Sequence, residues 1–293
     1  MTAYIRLLRP ADWIKNAFVF AALAFGNKMG DLHAIRLALV AFTVFCLASS
    51  AGYIFNDLLD RDRDRHHPVK KHRVLASGEV SPTTAVVIIF VILGLAAFMS
   101  YTTLPREFGW TALSYVILSW LYSTVLKHQI ILDVITIAIL FVMRAVGGAM
   151  AIQVMVSPWL LVCTFMLCLF LGFGKRRCEI AMIHDSGALR DHRATLVRYT
   201  PDLLNHLLST SGGIAIITFL LYTLDSSTPS PFANKHRLIY TLPIVIYGIY
   251  RYAMLIESGK STGPTDLIIN DPPSIITMLL WILAATAILY GGL

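Results

Sequence analysis

The stretch Tyr53-Ile54-Phe55-Asn56-Asp57-Leu58-Leu59-Asp60-Arg61-Asp62-Arg63-Asp64 closes a long apolar run with a burst of carboxylates. If one helix runs through it, Asn56 and Asp60 lie a turn apart, and Asp57, Asp60 and Asp64 follow i, i+3, i+7 along one face. Crowded carboxylates repel one another, and a hard divalent cation relieves that repulsion. Mg²⁺ favours such oxygens and usually shares itself with substrate phosphates. Asn56 and Asp60 are the expected direct ligands, with Asp57 and Asp64 binding directly or through water. The plain alternative is a charged helix end in water, with Arg61, Arg63 and Arg65 pairing locally.

Outside this stretch the chain is too apolar for a soluble domain: 57% of its 293 residues are hydrophobic, 14% are charged, and the mean hydropathy is +0.69. An integral membrane protein follows, and no nucleic-acid partner is expected. Met1 to Pro10 lacks the apolar core of a secretory signal. Cys46, Cys163, Cys168 and Cys178 have no metal-ligand spacing and predict no disulfide framework. Runs long enough to span about 30 Å of hydrocarbon fall near 13–30, 34–57, 82–104, 108–126, 130–153, 157–174, 203–224, 238–256 and 273–292. The expected architecture is all-α: a bundle of nine transmembrane helices forming one domain over residues 1–293, since no insertion is long enough to fold alone.

Lys and Arg concentrate in cytoplasmic loops. With the N-terminus inside, seventeen of them fall on inner segments, including Arg6, Arg9, Lys15, Lys127, Lys260 and the clusters 61–73 and 175–198. Only Lys28, Arg36, Arg106, Lys235 and Arg237 fall outside, so the carboxylates are expected to face the cytoplasm from the plasma (inner) membrane. Ionisable groups within spans are costly and tend to mark sites. Lys15, Lys127 and Arg144 are the candidates. Lys15 has a snorkelling alternative and Lys127 a structural pairing with Asp133, whereas Arg144, beside Gly147-Gly148, is too deep to snorkel and should meet an anion. Pro68 is expected to end the first long helix and turn Lys70 and Arg73 back over the metal face, leaving His66 and His67 as loop residues. Lys175 and Arg176 end the sixth span, and Arg190, Arg193 and Arg198 suit anionic lipid. Ala145 to Ala151 is rich in small residues, which allows packing within the bundle or a homo-oligomer.

NDLLDRDRD at 56–64 resembles the first aspartate-rich motif, NDxxDxxxD, of the UbiA superfamily of intramembrane prenyltransferases. LRPADWIKNAFVF, YIFNDLLDRDRDRHHPVKKHR, YSTVLKHQIILDV, FVMRAVGGA and GFGKRRCEI extend the resemblance toward its branch that transfers phosphoribose to a polyprenyl phosphate. The resemblance implies a nine-helix fold, Mg²⁺ dependence and a part in making arabinose donors for a cell envelope. Where prenyl-diphosphate enzymes of the superfamily carry a second acidic motif, this chain reads KRRCEIAMIHD; Glu179 and Asp185 remain, but three cations replace the dense acidic pair.

One metal motif with surplus cations suits a reaction between phosphoribosyl diphosphate and a polyprenyl (decaprenyl) phosphate, which must hold three phosphate groups. On that reading Lys15, Tyr53, Lys70, Arg73, Lys127 and Arg144 contact substrate, and Lys175 or Arg176 guides the lipid phosphate. No general base is expected, because the acceptor phosphate is already anionic. A prenyltransferase using prenyl diphosphate with an aromatic or other acceptor is the competing enzyme, and a lipid-phosphate transporter or scaffold the non-enzyme alternative.

Overall fold

The computed structural model describes residues 2–66, 70–186, 199–257 and 264–291. His67, Pro68, Arg190, Arg193, Arg198 and Lys260 lie outside the described residues, as does the side chain of Asp185. The regular elements among the described residues are all helices, with no strand. Among the described residues, seven helices are long and apolar enough to cross a membrane. The chain divides into two compact units, one ending at Val156 and the other beginning at Ser157.

The first unit opens with α1 (Thr2–Leu8), a 3₁₀ segment (Pro10–Phe20) and α2 (Ala21–Phe25). Here one long span was expected. Pro10 starts the 3₁₀ segment, Asp12, Lys15 and Asn16 interrupt its apolar run, and Asn27, at φ 54°, breaks the chain after α2. α3 (Leu32–His66) follows, then a 3₁₀ turn (Lys70–His72), α4 (Pro82–Thr103), α5 (Arg106–Thr124), a 3₁₀ turn (Leu126–His128) and α6 (Leu132–Ala151). The 35 residues of α3 measure about 52 Å at 1.5 Å each, far more than the hydrocarbon thickness. Its carboxylate-bearing end therefore projects past the apolar part. Ser81 caps α4 by accepting the Thr84 N–H at 3.1 Å, with Pro82 in the first turn.

Small residues on α6 let the 3₁₀ segment approach its backbone. A Cβ on Gly148 would stand 2.1 Å from the Val19 carbonyl oxygen, and one on Gly147 would stand 2.5 Å from the Phe45 ring. Phe45 in turn meets Phe108 and Tyr115 edge-on, at 5.7 and 5.2 Å between centroids, in a fully buried core. The glycines of Ala145–Ala151 are thus occupied by packing within the chain.

The second unit holds α7 (Pro158–Ser186), α8 (Pro201–Leu224), a 3₁₀ segment (Lys235–Thr241), α9 (Leu242–Glu257), α10 (Pro264–Ile269) and α11 (Pro272–Tyr290). Thr200 caps α8, and Asp271 caps α11 while receiving two hydrogen bonds from Arg251 at 2.6 and 3.0 Å. All four cysteines are free thiols.

Candidate active site

α3 runs unbroken to His66, so the periodicity expected for residues 56–64 holds. At about 100° per residue, Asn56, Asp60, Asp64 and Asp57 fall in that angular order across about 100° of the helix surface. The single stack of carboxylates expected from the sequence is not what forms. Cations from three distant segments divide the arc into two halves.

One half is Asn56 and Asp60. The Asn56 amide donates to Asp60 Oδ2 at 3.2 Å, and Lys127 Nζ donates to Asn56 Oδ1 at 3.0 Å and to the Asp60 oxygens at 2.8 and 2.9 Å. Lys127 is 3% exposed and is carried there by the 3₁₀ turn between α5 and α6. Arg63 adds a bond to Asp60 Oδ1 at 2.8 Å. Asp60, Arg63, Lys127, Ser123, Thr124 and His128 line a cleft of about 350 Å³. Asp133, the alternative partner considered for Lys127, is wholly buried in the first turn of α6.

The other half is Asp57 and Asp64. Arg9 Nη2 donates to both Asp57 oxygens at 2.6 and 2.7 Å, and Arg73 Nη1 bridges Asp57 at 3.0 Å and Asp64 at 2.7 Å. Both carboxylates are buried, so these charge-assisted bonds replace their lost hydration. Arg9 sits in left-handed backbone at φ 52°, ψ 60°, where α1 gives way to the 3₁₀ segment. Arg73 follows the turn containing Lys70, whose carbonyl accepts the Arg73 N–H at 2.9 Å. Sequence reading placed Arg9 only among the topological charges. Its position just before Pro10 at the inner edge was the available signal.

Tyr53 lies one turn before Asp57, with Arg9 over its ring at 5.3 Å and Lys15 at 5.8 Å. Lys15 also pairs with Asp12 at 2.5 Å. Arg144 is 4% exposed and donates to Asn16 Oδ1 at 2.7 Å, the Leu140 carbonyl at 2.8 Å and the Tyr115 hydroxyl at 2.7 Å. Its guanidinium also lies 4.9 Å from the Tyr115 and Phe141 rings. Asn16 passes the network on to Ser49 at 3.2 Å and Cys46 at 3.3 Å. Arg144 thereby ties α6 to the residue beside Lys15, with no carboxylate in salt-bridge range among the described residues.

Lys175 and Arg176 lie on α7 in the second unit. Arg176 is buried and bonds Glu179 at 2.6 Å, and the half-exposed Lys175 reaches the same carboxylate at 4.0 Å. Glu179, one of the two acids of this region, is therefore already engaged by both cations.

Among the described residues, no three His, Cys, Asp or Glu side chains gather closely enough to make a metal site by themselves. The donor chemistry of Asn56 and Asp60 nevertheless fits a hard cation. Three of their oxygens surround the Lys127 ammonium at 2.8 to 3.0 Å, so this spot already favours positive charge among oxygens. A Mg²⁺ held there needs its remaining ligands from water and substrate phosphate.

The sequence pattern of the UbiA prenyltransferase family matches residues 17–283. The chain is 28% identical to decaprenyl-phosphate phosphoribosyltransferase of Mycobacterium tuberculosis, over 98% of this chain and 94% of that protein. It is 29% identical to the protein of the same name from Corynebacterium glutamicum, over 98% and 86% respectively. The fold resembles that of a UbiA homolog from Archaeoglobus fulgidus bound to DMAPP and Mg²⁺, with a TM-score of 0.71, 22% identity and 98% of each chain covered. With the family pattern running through both units and an all-helical fold of the same kind carrying NDLLDRDRD at its site, the chain belongs to the UbiA prenyltransferase family.

Proposed function

We propose that this protein transfers 5-phosphoribose from phosphoribosyl diphosphate to a polyprenyl phosphate of the decaprenyl class, releasing diphosphate, to supply arabinan precursors for a cell envelope. The observation that carries this reading is the ratio of cations to acids. Arg9, Arg63, Arg73 and Lys127 bond to the acids of one motif, Lys15 pairs with Asp12 and Arg144 bonds Asn16 without touching them, and the sequence place of a second acidic motif reads KRRCEIAMIHD. Such a site is provisioned for several phosphates rather than for one diphosphate and an allylic cation. Relatives named for this reaction align over nearly the whole chain, in support.

Asn56 and Asp60 would hold Mg²⁺, with Asp57 and Asp64 as the more distant acids of the motif. Bound there, the metal supplies charge neutralisation for the diphosphate leaving group. Lys127 and Arg63 add positive charge on the same side. Lys15, Tyr53, Lys70 and Arg73 would contact substrate, the buried Arg144 would act by holding Asn16 beside Lys15, and Lys175 or Arg176 would guide the lipid phosphate. No side chain needs to act as a base, because the acceptor phosphate is already anionic; holding it behind C1 of the ribosyl ring supplies much of the rate.

We read both units as one functional domain spanning the plasma membrane nine times. The 3₁₀ segment with α2 covers about 30 Å at 2.0 and 1.5 Å per residue, and α5 about 28 Å, so these two elements join the seven apolar helices as spans. The Lys and Arg distribution supports an N-terminus and active site in the cytoplasm.

Purified protein incubated with Mg²⁺, labelled phosphoribosyl diphosphate and decaprenyl phosphate should yield labelled lipid and diphosphate. Product only from a prenyl diphosphate with an aromatic acceptor would support the competing enzyme, and flux without diphosphate release a transporter.

A further inference from the structure

Asp57 and Asp60 sit on one helix three residues apart but are engaged differently. Asp60 shares a lysine ammonium with Asn56 beside an open cleft, whereas Asp57 is 6% exposed and has both oxygens taken by guanidinium N–H groups. Both oxygens of Asp60 are engaged as well, by Lys127, Arg63 and Asn56; what sets Asp57 apart is its burial away from the cleft and that both of its partners are guanidinium groups with N–H donors to spare. Asp57 holds two arginines side by side. Arg9 uses only Nη2 on Asp57, and Arg73 only Nη1 on Asp57 and Asp64. Among the described residues, Nε and the second terminal nitrogen of each guanidinium make no hydrogen bond. Both side chains are about a quarter exposed, at 26% and 28%. Tyr53 and Lys15 complete the surroundings.

We propose that Arg9 and Arg73, held together by Asp57, form a phosphate-monoester subsite separate from the metal-binding oxygens, and that Asp57 is its positioning residue rather than a metal ligand. The inference deepens the phosphoribosyl-transfer reading and rests on it. The local acids, Asp12, Asp57 and Asp64, are each paired with a cation, so they present no unpaired negative charge, and the spare guanidinium N–H groups are what would hold an arriving anion. A guanidinium fork matches the terminal oxygens of a monoester, and two forks fixed by a buried carboxylate lose little freedom on binding. Two monoesters have the required chemistry: the 5-phosphate of the sugar donor and the head of the lipid acceptor.

The test is direct binding to the full-length protein in detergent. Ribose 5-phosphate and geranyl phosphate are titrated calorimetrically in metal-free buffer, and Mn²⁺ is titrated separately by electron paramagnetic resonance. Arg9→Gln and Asp57→Asn should each weaken one monoester by about 10- to 100-fold, the worth of charge-assisted bonds, while holding Mn²⁺ affinity within about twofold. Asp60→Asn should do the reverse. The monoester that responds identifies the source. The proposal is overturned if wild type binds neither monoester, if Arg9→Gln leaves both unchanged, or if Asp57→Asn loses Mn²⁺ as Asp60→Asn does. If Asp57→Asn does not fold, Arg9→Gln decides, because Asp57 keeps Arg73 in that variant. Monoester binding that depends on Arg9, in a protein that makes no phosphoribosyl lipid, would overturn the reaction and leave the subsite standing.

Discussion

Replacing Gly148 by Ala adds a single methyl group on α6, yet it should disable a site formed elsewhere in the first unit. The new Cβ would lie 2.1 Å from the Val19 carbonyl oxygen, 2.8 Å from its carbon and 3.0 Å from its Cα. All three are backbone atoms, so no rotamer change relieves the clash. Reaching ordinary contact near 3.4 Å requires the 3₁₀ segment and α6 to part by about 1.3 Å, an overpacking cost of about 3 kcal/mol. The same segment carries Asn16, bonded to Arg144 at 2.7 Å, and is entered through Arg9, which clamps Asp57. A shift of about 1 Å in catalytic geometry costs about 100-fold in rate. Labelled-lipid formation by Gly148→Ala should therefore fall about that much, with a lower unfolding midpoint in detergent. Gly94→Ala on α4 is the control: its Cβ meets nothing within 4 Å, and alanine gains about 1 kcal/mol in helix propensity. Wild-type turnover and melting in Gly148→Ala would refute the claim that this backbone contact positions the site.

Three further outcomes follow from named contacts. Asp60→Asn should abolish turnover in a protein that still folds and should weaken Mn²⁺ binding; full activity would remove Asp60 from the metal site. Asn16→Ala strips the buried Arg144 Nε of its acceptor and should lower stability by about 1.5 to 3 kcal/mol, measured by chemical denaturation in detergent; an unchanged midpoint would show that the bond carries nothing. Arg251 and Ser274 hold the Asp271 carboxyl well below the usual carboxylate range. A depressed folded value means that its stabilisation is present above the unfolded pKa of about 3.9 and is lost as pH falls below it. Thermal unfolding followed from pH 6 down to pH 3 should therefore weaken more steeply in wild type than in Asp271→Asn, and parallel curves would contradict the assignment.

The long first helix and its acidic end were legible because an apolar run closing in NDLLDRDRD has one helical reading. Lys127 and Arg144 stood out because charge inside a span is expensive. The division of the acids was not legible: Asp57 and Asp60 differ by less than one turn, and what separates them are cations 48 residues before Asp57 and 67 after Asp60. Nor was the 3₁₀ path of Pro10–Phe20, which packs its backbone against Gly148 on another helix. Glycine pairs announce close approach but do not name what approaches. Arg9 was hidden for a related reason: its function depends on a turn of backbone that brings it onto Asp57.

On the proposed function, the cations of this family member serve a sugar phosphate and a lipid phosphate. The most direct measurement supplies purified protein and Mg²⁺ with phosphoribosyl diphosphate labelled in the ribose, together with decaprenyl phosphate, and follows label into the lipid fraction alongside diphosphate release. Equal amounts of labelled lipid and diphosphate, both absent with Asp60→Asn, are the predicted result. No labelled lipid from wild type, with turnover of prenyl diphosphate in the same preparation, would contradict it.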